Sequence, residues 1–133
     1  MSSVFQSDIH FNESVGGKAN RSAAATRWQQ LITLMERERP YLDTQLMQQE
    51  IADRLSVSCR TLSRLIGEQS YHNFNGLVND YRLREAKRLL RDPQYASQSV
   101  DAIATLAGFN SRGTFYRAFK QSEGRSPAAY RKG

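Results

Sequence analysis

Apolar positions recur every three or four residues along most of this chain, the spacing of helices that bury one face. Trp28, Leu31, Ile32, Leu34 and Met35 make a first stripe, which predicts a helix from Trp28 to Glu38 that Pro40 ends. Leu46, Ile51 and Leu55 predict a second helix starting near Thr44, and Leu62, Leu65 and Ile66 a third. Leu77, Tyr81, Ala86, Leu89 and Leu90 place a long helix between Phe74 and Arg91, stopped by Asp92-Pro93. Val100, Ile103, Ala104 and Ala107 form a short one, and Phe115, Ala118 and Phe119 the face of the next. The first 25 residues carry no such stripe. Ser, Asn, Gly and Ala dominate there, so a disordered tail is expected.

Two of these segments repeat each other. Ile51-Ala52 through Ser58, followed by Leu62 to Ile66, is echoed by Ile103-Ala104 through Ser111, followed by Phe115 to Phe119. The offset is 52 at Ile103 and 53 at Phe115, so the second turn holds one more residue. Each copy has the spacing of a helix-turn-helix, whose second helix enters the DNA major groove. Ala52 is small where a second helix must cross closely. Ser56 stands where a left-handed cap would favour glycine, and Gly108 supplies that cap in the second copy, with Phe109 plugging the turn. Ser58 is expected to cap the first recognition helix, Ser99 the short helix, and Asn110 or Ser111 the second recognition helix. Cys59, Arg60, Thr61, Ser63 and Arg64 then face outward from one copy, and Arg112, Gly113, Tyr116, Arg117 and Lys120 from the other. Arg64 and Arg117 occupy matching places, each able to grip guanine O6 and N7.

Composition and charge narrow the partners. The chain of 133 residues is 39% hydrophobic with a net charge of +6, enough for one domain or two small lobes that favour anions. The charge is uneven: Lys18 and Arg21 balance Asp8 and Glu13 up to Thr26, whereas Arg82 to Gly133 holds eleven Lys or Arg against four Asp or Glu, a net +7. No apolar run approaches membrane-spanning length and no signal-peptide layout opens the chain, so a cytoplasmic protein without a membrane segment is expected. Cys59 is the single cysteine, and with only His10 and His72 beside it no zinc-ligand spacing exists. No carboxylate pair, nucleophile–base set or phosphate-cradling glycine loop is visible, which points away from catalysis and from a cofactor or small-molecule site. Cys59 as a redox switch or methyl acceptor would need an activating metal or base, and none is in view. Trp28 reads as core and His72 as a loop or cap residue.

Ser58 to Ile66, Tyr81 to Leu90, Ile103-Ala104, Gly108 to Ser111, Phe115 to Lys120 and Ser126-Pro127-Ala128-Ala129-Tyr130-Arg131 together resemble the AraC/XylS-type DNA-binding domain. The resemblance runs from about Leu46 to Arg131. It implies an all-α fold of two homeodomain-like helix-turn-helix lobes, residues 26–72 and 94–131, joined by a linker helix over residues 74–91. That helix, about 27 Å long at about 1.5 Å per residue, is either a ruler between major grooves about 34 Å apart or a plain connector. The implied function is sequence-specific transcriptional regulation, usually activation, with double-stranded DNA and RNA polymerase as partners and the bacterial nucleoid as the place of work. Carried over by position, Arg60, Ser63 and Arg64 would read bases from the first lobe and Arg112, Tyr116 and Arg117 from the second. Ser58, Thr61, Lys87, Arg88 and Arg91, with Ser111, Thr114, Lys120, Arg125 and Arg131, would hold the DNA backbone.

Ser56 and Tyr71 depart from glycines common in the family, and Gly67 predicts a looser end to the first recognition helix. The 41–90 stretch is most similar to a subgroup with N-terminal membrane segments, so the chain either stands alone or is the DNA-binding end of something longer. A sequence-indifferent architectural DNA binder, or a protein-interaction module using the apolar first helix, would fit the same composition.

Overall fold

Helices α1 (Lys18–Glu38), α2 (Gln48–Arg54), α3 (Cys59–Ser70), α4 (Phe74–Arg91), α5 (Val100–Leu106), α6 (Arg112–Glu123) and α7 (Pro127–Lys132) account for most of the computed structural model, which describes residues 18–70 and 72–133. Short 3-10 turns sit at Pro40–Leu42 and Pro93–Tyr95, and there is no strand among the described residues. The chain divides into two compact units. The first takes residues 18–39 and Met47–Leu77; the second takes Pro40–Leu46 and Val78–Gly133.

In the first unit α1 begins ten residues before Trp28, so residues 18–25 of the expected tail are helical. Ala23-Ala24-Ala25 explains the extension, because alanine has the highest intrinsic helix propensity. Residues 1–17 of that tail lie outside the described residues, as does Tyr71. Trp28, Leu31, Ile32, Leu34 and Met35 are buried, and α1 ends where Arg39 takes a φ of 54° ahead of Pro40. Helix α2 starts at Gln48 rather than near Thr44. Asp43 accepts the Gln45 N–H through Oδ1 at 2.8 Å, an Asx turn that competes with helix, and the Glu50 carboxylate accepts the Met47 N–H at 3.2 Å just ahead of the first turn. Leu46 and Leu55, expected inside, are half-buried, while Ile51 and Ala52 are fully covered. Leu62, Leu65 and Ile66 of α3 are buried too, and α3 packs against both α1 and α2. Gly67 does not end α3, which continues to Ser70.

The second unit has a core of Leu83, Ala86, Leu89 and Leu90 from α4, Ile103, Ala104 and Ala107 around α5, and Phe109, Phe115 and Phe119. The aromatic rings meet edge-on or tilted, Phe109 to Phe115 at 5.1 Å and Phe115 to Phe119 at 5.6 Å between centroids. Tyr130 of α7 closes this stack against Phe119 at 5.4 Å. Asn73, not His72, caps α4 by accepting the Gly76 N–H at 2.7 Å.

Arg82 departs from the sequence expectation most sharply. Counted among the cations that make the C-terminal half basic, it is 8% exposed and faces inward. Its Nε donates to the Tyr41 carbonyl at 2.7 Å and its Nη2 to the Asp43 carbonyl at 2.8 Å. Burial pushes the guanidinium below its usual pKa, opposed by Asp43. The Tyr41 ring stacks on Tyr81 at 5.2 Å, so Pro40–Leu46 is fastened by ring and guanidinium together. Gly108 lies against the same knot: a β-carbon there would overlap the Tyr41 carbonyl oxygen and stand 2.8 Å from Arg82 Nε.

Gly108 has φ 106° and Gly124, at the end of α6, φ 75°, but a β-carbon at 124 would meet nothing within 4 Å. Gly124→Ala should therefore cost only the left-handed backbone penalty, about 1–2 kcal/mol. Gly108→Ala adds an overlap with backbone and should cost more than about 3 kcal/mol. Chemical denaturation of the two variants measures the difference; equal losses would contradict this packing.

Candidate nucleic-acid interface

Both helix-turn-helix copies close with the same turn. In the first, the Ser56 N–H donates to the Asp53 carbonyl at 3.1 Å and the Val57 N–H to the Ala52 carbonyl at 3.0 Å. In the second, Gly108 donates to Thr105 at 2.9 Å and Phe109 to Ala104 at 3.0 Å. These pairs are the two bonds of a Schellman cap, which needs a left-handed residue after the helix. Ser56 takes that conformation at φ 58° in the place where the second copy has glycine.

The recognition helices then start alike. Ser58 accepts the Thr61 N–H at 3.0 Å, and Ser111 accepts the Thr114 N–H at 3.2 Å, so Ser111 rather than Asn110 is the cap. Asn110 is the additional residue, lying between the turn and the cap. Cys59 therefore matches Arg112, Arg60 matches Gly113, Ser63 matches Tyr116, and Arg64 matches Arg117. In both copies the inward face is buried, Leu62 and Ile66 in α3, Phe115 and Phe119 in α6.

On the outward face Arg60, Ser63 and Arg64 of α3 are exposed, as are Arg112, Arg117 and Lys120 of α6. Tyr116 is half-buried, its ring packed edge-on to Phe115 at 5.3 Å. Gly113 leaves room for Arg117, whose Nη1 would be 3.1 Å from a β-carbon at 113. Several of these side chains are held from the preceding helix. Gln48 Nε2 donates to Ser63 Oγ at 2.7 Å and to the Cys59 carbonyl at 3.1 Å, and Cys59 Sγ donates to Gln49 Oε1 at 3.2 Å. In the second copy Arg112 Nε donates to both Asp101 oxygens, at 3.2 and 3.1 Å, and the Tyr116 hydroxyl donates to Asp101 Oδ1 at 3.1 Å. The Arg112 guanidinium also lies over the Tyr116 ring, 4.7 Å from its centre. The bond to Asp101 raises the pKa of Arg112, and burial followed by the same carboxylate raises that of Tyr116.

The cations expected on the DNA backbone fall into distinct environments. Lys120 and Arg125 are exposed, Arg125 within 5.2 Å of the Tyr130 ring centre. Arg88 is held by Glu85 through two bonds, at 2.8 and 3.1 Å, which raise its pKa. Arg91 lies 4.1 Å above the Tyr130 ring and donates to the Tyr130 carbonyl at 3.3 Å. Lys87 and Arg131 make their bonds in partly buried places. Lys87 Nζ pairs with Glu123 at 2.6 Å, tying α4 to the end of α6, and both side chains are largely covered. Arg131 Nη2 donates to the Tyr95 carbonyl at 2.7 Å and the Ala96 carbonyl at 3.3 Å, tying α7 to the turn after α4. The first sequence reading missed Gln48, Gln49 and Asp101. Register alone holds the signal for two of them, since Gln49 and Asp101 are 52 apart like the helices that carry them. Among the described residues no group of three His, Cys, Asp or Glu could hold a metal ion, and no helix is long and apolar enough to cross a membrane.

A family model described as a helix-turn-helix domain matches residues 51–133. The chain is 30% identical to the HTH-type transcriptional regulator GlxA of Rhizobium meliloti, over 95% of this chain and 40% of that protein. It is 32% identical to the HTH-type transcriptional activator RhaS of Citrobacter koseri, over 88% of this chain and 39% of that protein. The chain thus spans about two fifths of the length of these relatives. Among solved structures, the C-terminal domain of AraT, a response regulator from Geobacillus stearothermophilus, superposes with a TM-score of 0.64 at 26% identity, covering 82% of this chain and 83% of that one. A transcriptional regulator from Chromobacterium violaceum, described by its AraC-type DNA-binding domain, gives a TM-score of 0.68 at 23% identity over 84% and 94% of the two chains.

Lys87→Ala and Arg131→Ala should each lower stability by about 1 kcal/mol or more, because a partly covered carboxylate or pair of carbonyls loses its charged donor. For a chain of this size that is a fall of about 3–5 °C in melting temperature. Lys120→Ala, from an open surface, should shift it by less than about 1 °C. Thermal melts followed by circular dichroism check the ranking.

Proposed function

The chain belongs to the AraC-type helix-turn-helix domain family, and from that premise we propose that it is a sequence-specific transcriptional regulator that lays α3 and α6 into the major groove of double-stranded DNA. The observation that carries this reading is the matched pair of capped turns, each followed by a helix that buries its apolar face and exposes an arginine at the same position, Arg64 or Arg117. An arginine so placed can donate two bonds to guanine, worth about 1–3 kcal/mol of discrimination. The capped start of each of α3 and α6 presents backbone N–H groups that attract phosphates.

Arg60, Ser63 and Arg64 read bases from α3, and Arg112, Tyr116 and Arg117 from α6. The backbone grip comes from Lys120, Arg125, Arg88 and Arg91, with Ser58, Thr61, Ser111 and Thr114 at the helix starts. Lys87 and Arg131 are left out of that group because their bonds to Glu123 and the Tyr95 carbonyl are partly buried, whereas Arg88 and Arg91 make theirs at an exposed surface. Helix α4, 18 residues long, serves as the spacer between the two reading helices. The protein acts on the bacterial chromosome in the cytoplasm, as an activator that works through RNA polymerase. It performs no catalysis.

Selection of bound duplexes from a random pool should yield one preferred sequence, held at least about 10³-fold over unrelated DNA at fixed salt. Arg117→Ala should then weaken the selected site by about 10- to 100-fold while changing unrelated DNA only a few-fold. Lys120→Ala should weaken both alike and reduce the salt slope by about one unit. Equal losses for both variants on both DNAs would contradict the assignment of Arg117, and an architectural binder would yield no preferred sequence.

A further inference from the structure

We propose that Asp101 is a positioning residue that sets the base selectivity of α6 by holding Arg112 and Tyr116 as one rigid unit. This rests on the reading of α6 as a DNA-reading helix and adds to it the control of selectivity from outside that helix. Asp101 stands in the first turn of α5, yet its carboxylate takes the Arg112 Nε and the Tyr116 hydroxyl together. Since Nε carries the tie, the two Nη groups of Arg112 are not used by Asp101, and they are the paired donors that a guanine edge or a phosphate accepts. The guanidinium also lies over the Tyr116 ring, a second contact that restricts where it can move.

The first copy supplies an independent parallel. There the residues matching Arg112 and Tyr116 are Cys59 and Ser63, and they too are held from the preceding helix, by Gln49 and Gln48. Gln49 is the counterpart of Asp101, while Val100 replaces Gln48 and has no polar atom to offer. Asp101 therefore does alone what two glutamines do in the first copy. It also brings a charge. An exposed ion pair is a weak tie, worth little in stability, but it decides where a flexible arginine spends its time. Released from the carboxylate, Arg112 can swing to any phosphate within reach. Held by it, the fork is offered in one direction, and the cation is partly neutralised toward DNA that offers no matching base. Selectivity then gains at both ends, through a prepared contact and through weaker general attraction.

The test uses the full chain, the duplex that the wild type selects from a random pool, and an unrelated duplex of equal length. Asp101→Ala should strengthen binding to the unrelated duplex by about two- to fivefold and steepen its salt slope by up to about one unit. The ratio of selected to unrelated affinity should fall by about tenfold, with the loss of preference confined to the bases under α6. Asp101→Asn, which keeps the shape and one acceptor, should fall between the two, and a melting curve shows that each variant is folded. In an Arg112→Ala background the same Asp101→Ala change should alter the ratio by less than twofold. An unchanged base preference in folded Asp101→Ala, or an equal loss with and without Arg112, overturns the inference while leaving the DNA-reading assignment in place. A wild-type chain that selects no sequence overturns both.

Discussion

A buried arginine cannot be left alone, and that constraint organises the C-terminal half of this protein. Arg82 is buried, and two backbone carbonyls, of Tyr41 and Asp43, take its donors in place of water. A guanidinium stripped of water and denied acceptors would cost several kcal/mol, so the segment Pro40–Leu46 must be in place whenever this unit is folded. The consequence reaches the second helix-turn-helix directly. The Tyr41 carbonyl that satisfies Arg82 also fills the space a β-carbon at Gly108 would need, at the residue whose left-handed φ turns the chain from α5 toward α6. One carbonyl thus serves both the buried guanidinium and the close approach that keeps glycine at the second turn.

Around that contact the two copies solve one problem with different residues. Each must stop a helix, reverse, and start another within four or five residues. The first does so with a serine in a left-handed conformation that its β-carbon resists, and the second with glycine. The first ties its reading helix with neutral amides, the second with a carboxylate and a stacked aromatic–guanidinium pair. The charge balance of the two outward faces differs accordingly, although their backbones follow the same hydrogen-bond pattern.

What was legible in the sequence was local. The capping serines at 58, 99 and 111, the left-handed Gly108 and the inward faces of α3 and α6 all follow from residues within a few positions of one another, where propensity and period carry the information. What was not legible depended on partners far along the chain. Arg82 finds its acceptors 39 and 41 residues upstream, Lys87 its carboxylate 36 residues downstream, and Arg131 its carbonyl 36 residues back. On a helical wheel each reads as a solvated charge, because periodicity records which face a residue occupies and not what lies opposite. Two boundaries near the N-terminus differ for the opposite reason, since the alanines before Thr26 and the Asx turn at Asp43 are local signals that outweigh the apolar stripe.

Segment Pro40–Leu46 lies between α1 and α2 of the first unit in chain order, yet it folds with the second. No single cut can therefore separate the halves cleanly. A fragment starting at Val78 would carry Arg82 without its carbonyls and Gly108 without the Tyr41 carbonyl it lies against, while the complementary fragment would trail a loose peptide that belongs elsewhere. The duplication visible in the sequence is thus not a pair of beads that can be exchanged or expressed apart: the interleaved thread makes the halves inherit one another's folding.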